Sequence, residues 1–216
     1  MMNDLLFPLS MLAAFIIASF VLAVTPGPGV FYIVTCSLVQ GRRSGLASVA
    51  GVAVGNLVNV IGASVGLAVV FAVSAVAFAI VKYGGAMYLI YLGIRALRAT
   101  RSDLRLENHE PARPWRIFAD GFIVALLNPK TALFFAAFLP QFMGTEATSL
   151  LQGIVLGMLF VAIAAVTDSV YALAAGTLAP LLRRTQGVGV FSRYVTGGVF
   201  IGLGVFTAVT GSQSAK

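Results

Sequence analysis

The 216-residue chain is 59% hydrophobic and 10% charged, with a mean hydropathy of +0.99, whereas about a quarter of the residues of a soluble domain are charged. That balance excludes a water-soluble globular protein and assigns the chain to a bilayer. The formal net charge of +7, from 14 Lys and Arg against 7 Asp and Glu, would suit a nucleic-acid partner only if the basic residues formed one patch, and their positions argue otherwise.

Apolar runs cover residues 9–39, 47–97, 117–142, 150–182 and 188–209. The second is about fifty residues long, twice the roughly twenty that cross a bilayer as a helix. Six transmembrane helices are therefore predicted, near 9–38, 45–69, 74–98, 117–142, 149–181 and 189–210. The runs lack the alternation of a membrane barrel, so the fold class is all-α integral membrane protein.

Helix 1 is preceded by Asp4 and by no basic residue, and it carries Thr25-Pro26-Gly27-Pro28-Gly29 where a signal peptide would have a small-residue cleavage site, so it is read as a retained span. A proline inside a bilayer-length helix removes a backbone hydrogen bond, and the break survives only where protein or a water-lined cavity satisfies the freed groups. Helix 2 carries Gly51, Gly55, Asn56 and Asn59. Lys82 and Tyr83 open the middle of helix 3 and are read as interfacial residues with Tyr88, Tyr91 and Trp115. The polar segment 99–116 is a linker between two three-helix halves, 1–98 and 117–216. Helix 4 has the second break, Asn128-Pro129-Lys130, and Asp120, which is expected to close a surface pair with Arg116 four residues before it. Helix 5 contains Asp168, and Arg193 in helix 6 is read as another interfacial anchor.

Arg42 and Arg43 lie between helices 1 and 2. Arg95, Arg98, Arg101, Arg105, Arg113 and Arg116 flank the gap between 3 and 4, and Arg183, Arg184 and Arg193 that between 5 and 6. With six spans all three loops fall on one face, which the positive-inside rule makes cytoplasmic, and both termini are then periplasmic. The basic excess is topology and points to no nucleic acid. Cys36 and His109 are each the sole residue of their type, so neither an internal disulfide framework nor a metal site is expected, and no cofactor.

Three helices per half require any repeat to be inverted in the membrane. Traces of one run in register: Thr25-Pro26 with Asn128-Pro129, Gly51 and Gly55 with Gly153 and Gly157, and Lys82-Tyr83 with Leu92-Gly93 against Arg193-Tyr194 with Leu203-Gly204. Thr and Asn are good N-caps and proline is favoured at the first helical position. Each break is thus read as the start of a half-helix, at Pro26 and at Pro129, whose free N–H groups suit a carboxylate. The alternative is that both prolines only kink packed helices.

At about 1.5 Å per residue, Lys130 lies roughly 21 Å from Arg116, Asn56 roughly 20 Å from Arg43, and Asp168 roughly 22 Å from Arg183, while Pro26 and Asn59 fall at about 24 Å from the basic pair. These depths converge on the middle of the membrane, where a charge is costly and faces the protein interior. Lys130 and Asp168 should pair with each other or meet substrate. The alternatives are snorkelling for Lys130 and a structural ion pair for Asp168. Asn56 and Asn59 share a helical face and suit either substrate contact or hydrogen bonds between helices.

The chain resembles the LysE/RhtB-type amino-acid exporters. The resemblance is carried by Thr25-Pro26-Gly27-Pro28, the Gly41 to Gly45 segment and the Gly51/Gly55 pattern, Lys82 to Leu89 with Leu92-Gly93, Gly121-Phe122 through Asn128-Pro129-Lys130, and Asp168 followed by Tyr171-Ala172-Leu173-Ala174. It implies export of amino acids or their derivatives from the cytoplasm of a bacterium across its inner membrane, driven by the proton gradient. Many relatives have an acidic residue where this chain has Asn56, which leaves Asp168 as the intramembrane proton carrier. The candidate substrate-binding residues are Thr25, Pro26, Gly27, Pro28, Asn56, Asn59, Asn128, Pro129, Lys130 and Asp168. Expected partners are the amino-acid substrate, protons and the lipid bilayer, and a homodimer is compatible with the chain. Two other function classes compete with export. An intramembrane enzyme needs a nucleophile with a base, or a metal set, which one His and one Cys do not supply. A structural subunit needs neither matched breaks nor midplane charges, whereas an uncoupled channel tolerates both.

Overall fold

The computed structural model describes residues 9–64, 74–98, 113–142, 149–183 and 188–210. Among them every regular element is helical. The first predicted span is two helices, α1 (Leu9–Val24) and α2 (Pro28–Gln40), meeting at a 50° bend. α3 (Arg42–Ser64) and α4 (Ala75–Arg98) follow. The fourth predicted span is again a pair, α5 (Pro114–Leu126) and α6 (Pro129–Ala137), bent by 51° and continued by a short 3-10 turn at Leu139–Phe142. α7 (Ser149–Arg183) and α8 (Val188–Thr210) complete the chain. By length and composition, the described residues hold two helices able to cross a bilayer alone, Arg42–Ser64 and Leu150–Pro180, and four candidate spans if each bent pair counts as one.

The two breaks have different local chemistry. At the first, the Thr25 N–H and hydroxyl both donate to the Val21 carbonyl, at 3.1 and 2.7 Å. The threonine therefore closes α1 and does not cap the next helix. The second half-helix starts at Pro28, two residues later than Pro26, with extended Gly27 as its N-cap. At the second break the expected start holds: Asn128 is the N-cap, its side-chain oxygen accepts the Lys130 N–H at 3.1 Å, and Pro129 is the first helical residue. Gly41, at φ 90°, lets the chain turn from α2 into α3, a backbone conformation that a side chain would resist.

α3 is central, packing against α2, α5 and α7, while α7 also holds α1 and α2, and α4 runs along α8. Glycines set the approach. A Cβ at Gly51 would fall 2.1 Å from the Phe118 carbonyl oxygen, and one at Gly55 2.6 Å from that of Phe122, so α3 and α5 touch backbone to backbone. Between α4 and α8 the contact is reciprocal: a Cβ on Gly93 would meet the Gly197 carbonyl at 2.8 Å, and one on Gly204 the Ala86 carbonyl at 2.7 Å. In lipid, where tails are as apolar as leucine, such close packing is a main source of helix association. The outward faces are apolar, with Ile17, Phe20, Val21, Ile80, Met87, Val166, Val170 and Phe206 all exposed.

Three surface expectations change. Asp120 is 7% exposed and pairs with Arg95 of α4, which reaches both carboxylate oxygens, while the Tyr88 hydroxyl donates to Oδ1 at 2.9 Å. Arg116 is exposed; Asp120 lies on the face of α5 that turns into the protein, so it meets α4 instead of water. Tyr88, half-buried, thereby donates to a carboxylate inside the bundle. Lys82 is 3% exposed, its ammonium 4.9 Å from the Tyr83 ring centroid, so it lies within the bundle. The linker 99–112, with Arg101, Arg105 and His109, lies outside the described residues, as do the side chains of Arg183, Arg184 and Arg193.

Candidate functional site

The two proline breaks converge. Gly27, Gly29 and Val30 from the first and Asn128, Lys130 and Thr131 from the second line one cavity with Asn56 of α3 and Asp168 of α7. Leu22, Ala23, Val52, Phe160 and Ala164 complete the wall. The cavity is about 40 Å³, room for about three waters at roughly 10–15 Å³ each. On one side it is backed by an aromatic cluster in which Phe160 packs on Phe134 and Phe135, with centroids 5.2 and 5.0 Å apart, and Phe15 packs on Phe142 at 5.3 Å.

Lys130 joins the breaks. Its ammonium donates to the Leu22 carbonyl at 2.8 Å and to the Thr25 carbonyl, and the Tyr171 hydroxyl donates to the Val24 carbonyl at 2.8 Å. These are the carbonyls that the end of α1 leaves without helical partners, at the negative end of its dipole. The lysine stem runs past Gly27, where a Cβ would come 3.1 Å from Cδ. The side chain thus turns inward across the break and does not snorkel toward a membrane face.

At the start of α2 the first helical bond runs from the Phe31 N–H to the Gly27 carbonyl at 3.0 Å, and no side chain caps the helix. The N–H groups of Gly29 and Val30 therefore have no acceptor inside their helix, and Pro28 has none to offer. The start of α6 is better satisfied: Asn128 takes the Lys130 N–H through its side chain and the Ala132 N–H through its carbonyl, at 3.1 Å each. Side-chain capping is thus absent at the α2 start and present at the α6 start.

Asp168 is 6% exposed. It faces the same cavity as Lys130 without an ion pair between them; among the described residues the ion pair is that of Arg95 with Asp120. Of the two expected arrangements, a direct pair or contact with substrate, the direct pair is absent, and the two opposite charges line one space. Asn56 is also 6% exposed, and its Oδ1 is buried with no hydrogen-bond partner.

Of the residues singled out in the sequence, Gly27, Asn56, Asn128, Lys130 and Asp168 meet at the cavity. Thr25, Pro26, Pro28 and Pro129 shape the breaks beside it. Asn59 is directed elsewhere, its Nδ2 donating to the Ala125 carbonyl of α5 at 3.0 Å, which satisfies the end of that half-helix. Sequence reasoning missed Thr131 and Phe160 as cavity residues. Phe160 was findable, since Phe160, Ala164 and Asp168 recur at four-residue spacing and share a helical face.

One wall is rich in donors and positive charge, and Asp168 and Asn56 supply acceptors, an arrangement that fits a molecule carrying both an anionic and a cationic group. The model of the LysE type translocator family matches residues 20–211. The homoserine/homoserine lactone efflux protein of Salmonella typhimurium is 34% identical over 171 residues, 79% of this chain and 82% of that protein. The leucine efflux protein of the same organism is 31% identical over 134 residues, 62% of this chain and 63% of its own. An uncharacterized membrane protein of Vibrio cholerae is 28% identical over 197 residues, 90% and 95% of the two chains. No solved structure matches.

Proposed function

Because the chain belongs to the LysE type translocator family, we propose that it is a secondary transporter exporting amino acids or close derivatives from the cytoplasm in exchange for protons. The observation that carries this reading is the cavity between two proline breaks, with the free N–H groups of α2 and the Lys130 ammonium on one side and the Asp168 carboxylate on the other. The substrate carboxylate sits against Gly29, Val30 and Lys130. Its ammonium meets Asp168. Efflux of homoserine and of leucine by the named relatives supports the substrate class. Release of the ammonium leaves Asp168 facing the cavity, where a proton from the other side neutralises it and lets the empty carrier return. The cavity of about 40 Å³ must widen to admit an amino acid, and the bends at the two breaks are the joints at which it does so.

The reading includes six spans in two inverted three-helix repeats. Exchanging the halves maps the α3–α7 and α4–α8 contacts onto themselves and α3 against α5 onto α7 against α1 and α2, whereas α2 against α3 has no comparably packed counterpart in the second half. The basic loops put the linker in the cytoplasm and both termini in the periplasm, and the membrane is the bacterial inner membrane. Cells lacking their own exporters and challenged with toxic amino acids or dipeptides test the function: expression of this chain should rescue growth with at least one, and rescue with none overturns the reading. A channel would equilibrate substrates without driving them against a gradient.

A further inference from the structure

We infer that Asn56 determines the charge of the substrate: its amide oxygen is the second acceptor for the substrate ammonium, and its neutrality restricts the site to amino acids with uncharged side chains. The inference rests on the reading of the cavity as an amino-acid site. Asn56 lines the cavity, is 6% exposed, and holds a buried Oδ1 with no protein donor. A buried acceptor is costly to leave unpaired, so it calls for a donor in the occupied state.

The occupant's ammonium is the donor that fits. It carries three N–H groups, as any ammonium does. Asp168 offers a carboxylate, but the nearby carbonyls of Leu22 and Thr25 already accept from Lys130. Asn56 Oδ1 is a buried acceptor of the cavity lining with no protein donor. The substrate carboxylate cannot take this position, because two acceptors would face each other.

The charge count follows. The ionisable side chains lining the cavity are Lys130 and Asp168, one of each sign. A zwitterion with an uncharged side chain adds no net charge. A lysine or glutamate side chain brings one unit with no partner in a membrane-buried space walled by Val52, Phe160 and Ala164, a penalty on the order of a hundredfold in affinity. A carboxylate at position 56 would supply the missing partner for a basic side chain.

The test measures binding of the twenty proteinogenic amino acids and homoserine to the purified full-length protein in lipid nanodiscs. The wild type should bind one or more neutral amino acids and bind lysine, arginine, aspartate and glutamate about a hundredfold more weakly. Asn56→Asp should weaken the neutral ligands and bring lysine or arginine to the front. Asn56→Leu, which removes the acceptor without adding charge, should cost the neutral ligands about tenfold and keep the discrimination against charged ones. A wild type that binds a charged amino acid as tightly as any neutral one overturns the inference, as does an Asn56→Asp variant with unchanged preference. Should Asn56→Asp fail to fold, wild-type selectivity and Asn56→Leu decide alone. Neutral binding untouched by folded Asn56 variants rejects this inference and leaves the transporter reading standing; a wild type that binds no amino acid at all rejects both.

Discussion

Replacing Lys130 with Met keeps the length of the side chain and deletes the ammonium that joins the two breaks. Two carbonyls at the end of α1, those of Leu22 and Thr25, lose their donor. A hydrogen bond from a charged group contributes about 1.5–3 kcal/mol, so the pair is worth about 3–6 kcal/mol before compensation. Water in the adjoining cavity reaches the freed carbonyls, and the lysine no longer has to be desolvated, which together leave a net loss of about 2 kcal/mol. For a chain of this size that lowers the melting temperature by about 4–8 °C. Substrate affinity should fall at least about tenfold as well, because the same ammonium faces the carboxylate seat. Gly27→Ala, whose Cβ would sit 3.1 Å from Lys130 Cδ, should produce both effects in weaker form by displacing the lysine. Scanning fluorimetry and ligand binding on purified protein read the two quantities in parallel. A Lys130→Met protein that melts within 1 °C or so of wild type and binds substrate equally well would refute the reasoning.

Gly51→Leu should abolish stable folded protein in the membrane, since its Cβ would lie 2.1 Å from the Phe118 carbonyl oxygen and backbone cannot yield cheaply, whereas Gly62→Leu, with nothing within 4 Å, should accumulate normally; fluorescence size-exclusion of tagged variants compares them. Asp120→Asn should lower stability by about 1–2 kcal/mol by leaving Arg95 without its carboxylate, a buried-pair penalty discounted because the Arg95 side chain is 36% exposed, and Arg95→Gln added to it should recover part of the melting temperature. In a Cys36→Ser background, His109→Cys should resist an impermeant thiol reagent applied from the periplasm; ready labelling from that side would reverse the topology.

Much of the plan was legible because membrane burial writes itself in long apolar runs. The described helices Ala75–Arg98, Ser149–Arg183 and Val188–Thr210 coincide to within two residues with the spans predicted at 74–98, 149–181 and 189–210. The breaks were legible too, because proline in an apolar run has few explanations. Their exact registers were less so. Nothing in Thr25-Pro26-Gly27-Pro28 says whether the threonine caps forward or closes backward, and the competition is settled by Pro28, which takes the first helical position. Depth counting brought Asn56, Lys130 and Asp168 to one layer, yet depth says nothing of azimuth. Asn59, at nearly the depth of Asn56, points at α5 instead. Asp120 and Lys82 were misread for the same reason: one-dimensional distance to a polar flank does not tell which face of a helix is buried.

In the proposed function, Asp168 couples substrate to protons in a cavity shared with Lys130. The direct measurement is flux of the substrate found by the growth panel in proteoliposomes, with and without an imposed pH gradient, for wild type and Asp168→Asn. Wild type should drive saturable transport against a substrate gradient when the pH gradient is present. Asp168→Asn should lose that accumulation and retain substrate counterflow, because an amide can hold the ammonium by a hydrogen bond but takes up no proton. Gradient-driven accumulation that persists at the wild-type rate in Asp168→Asn contradicts the account.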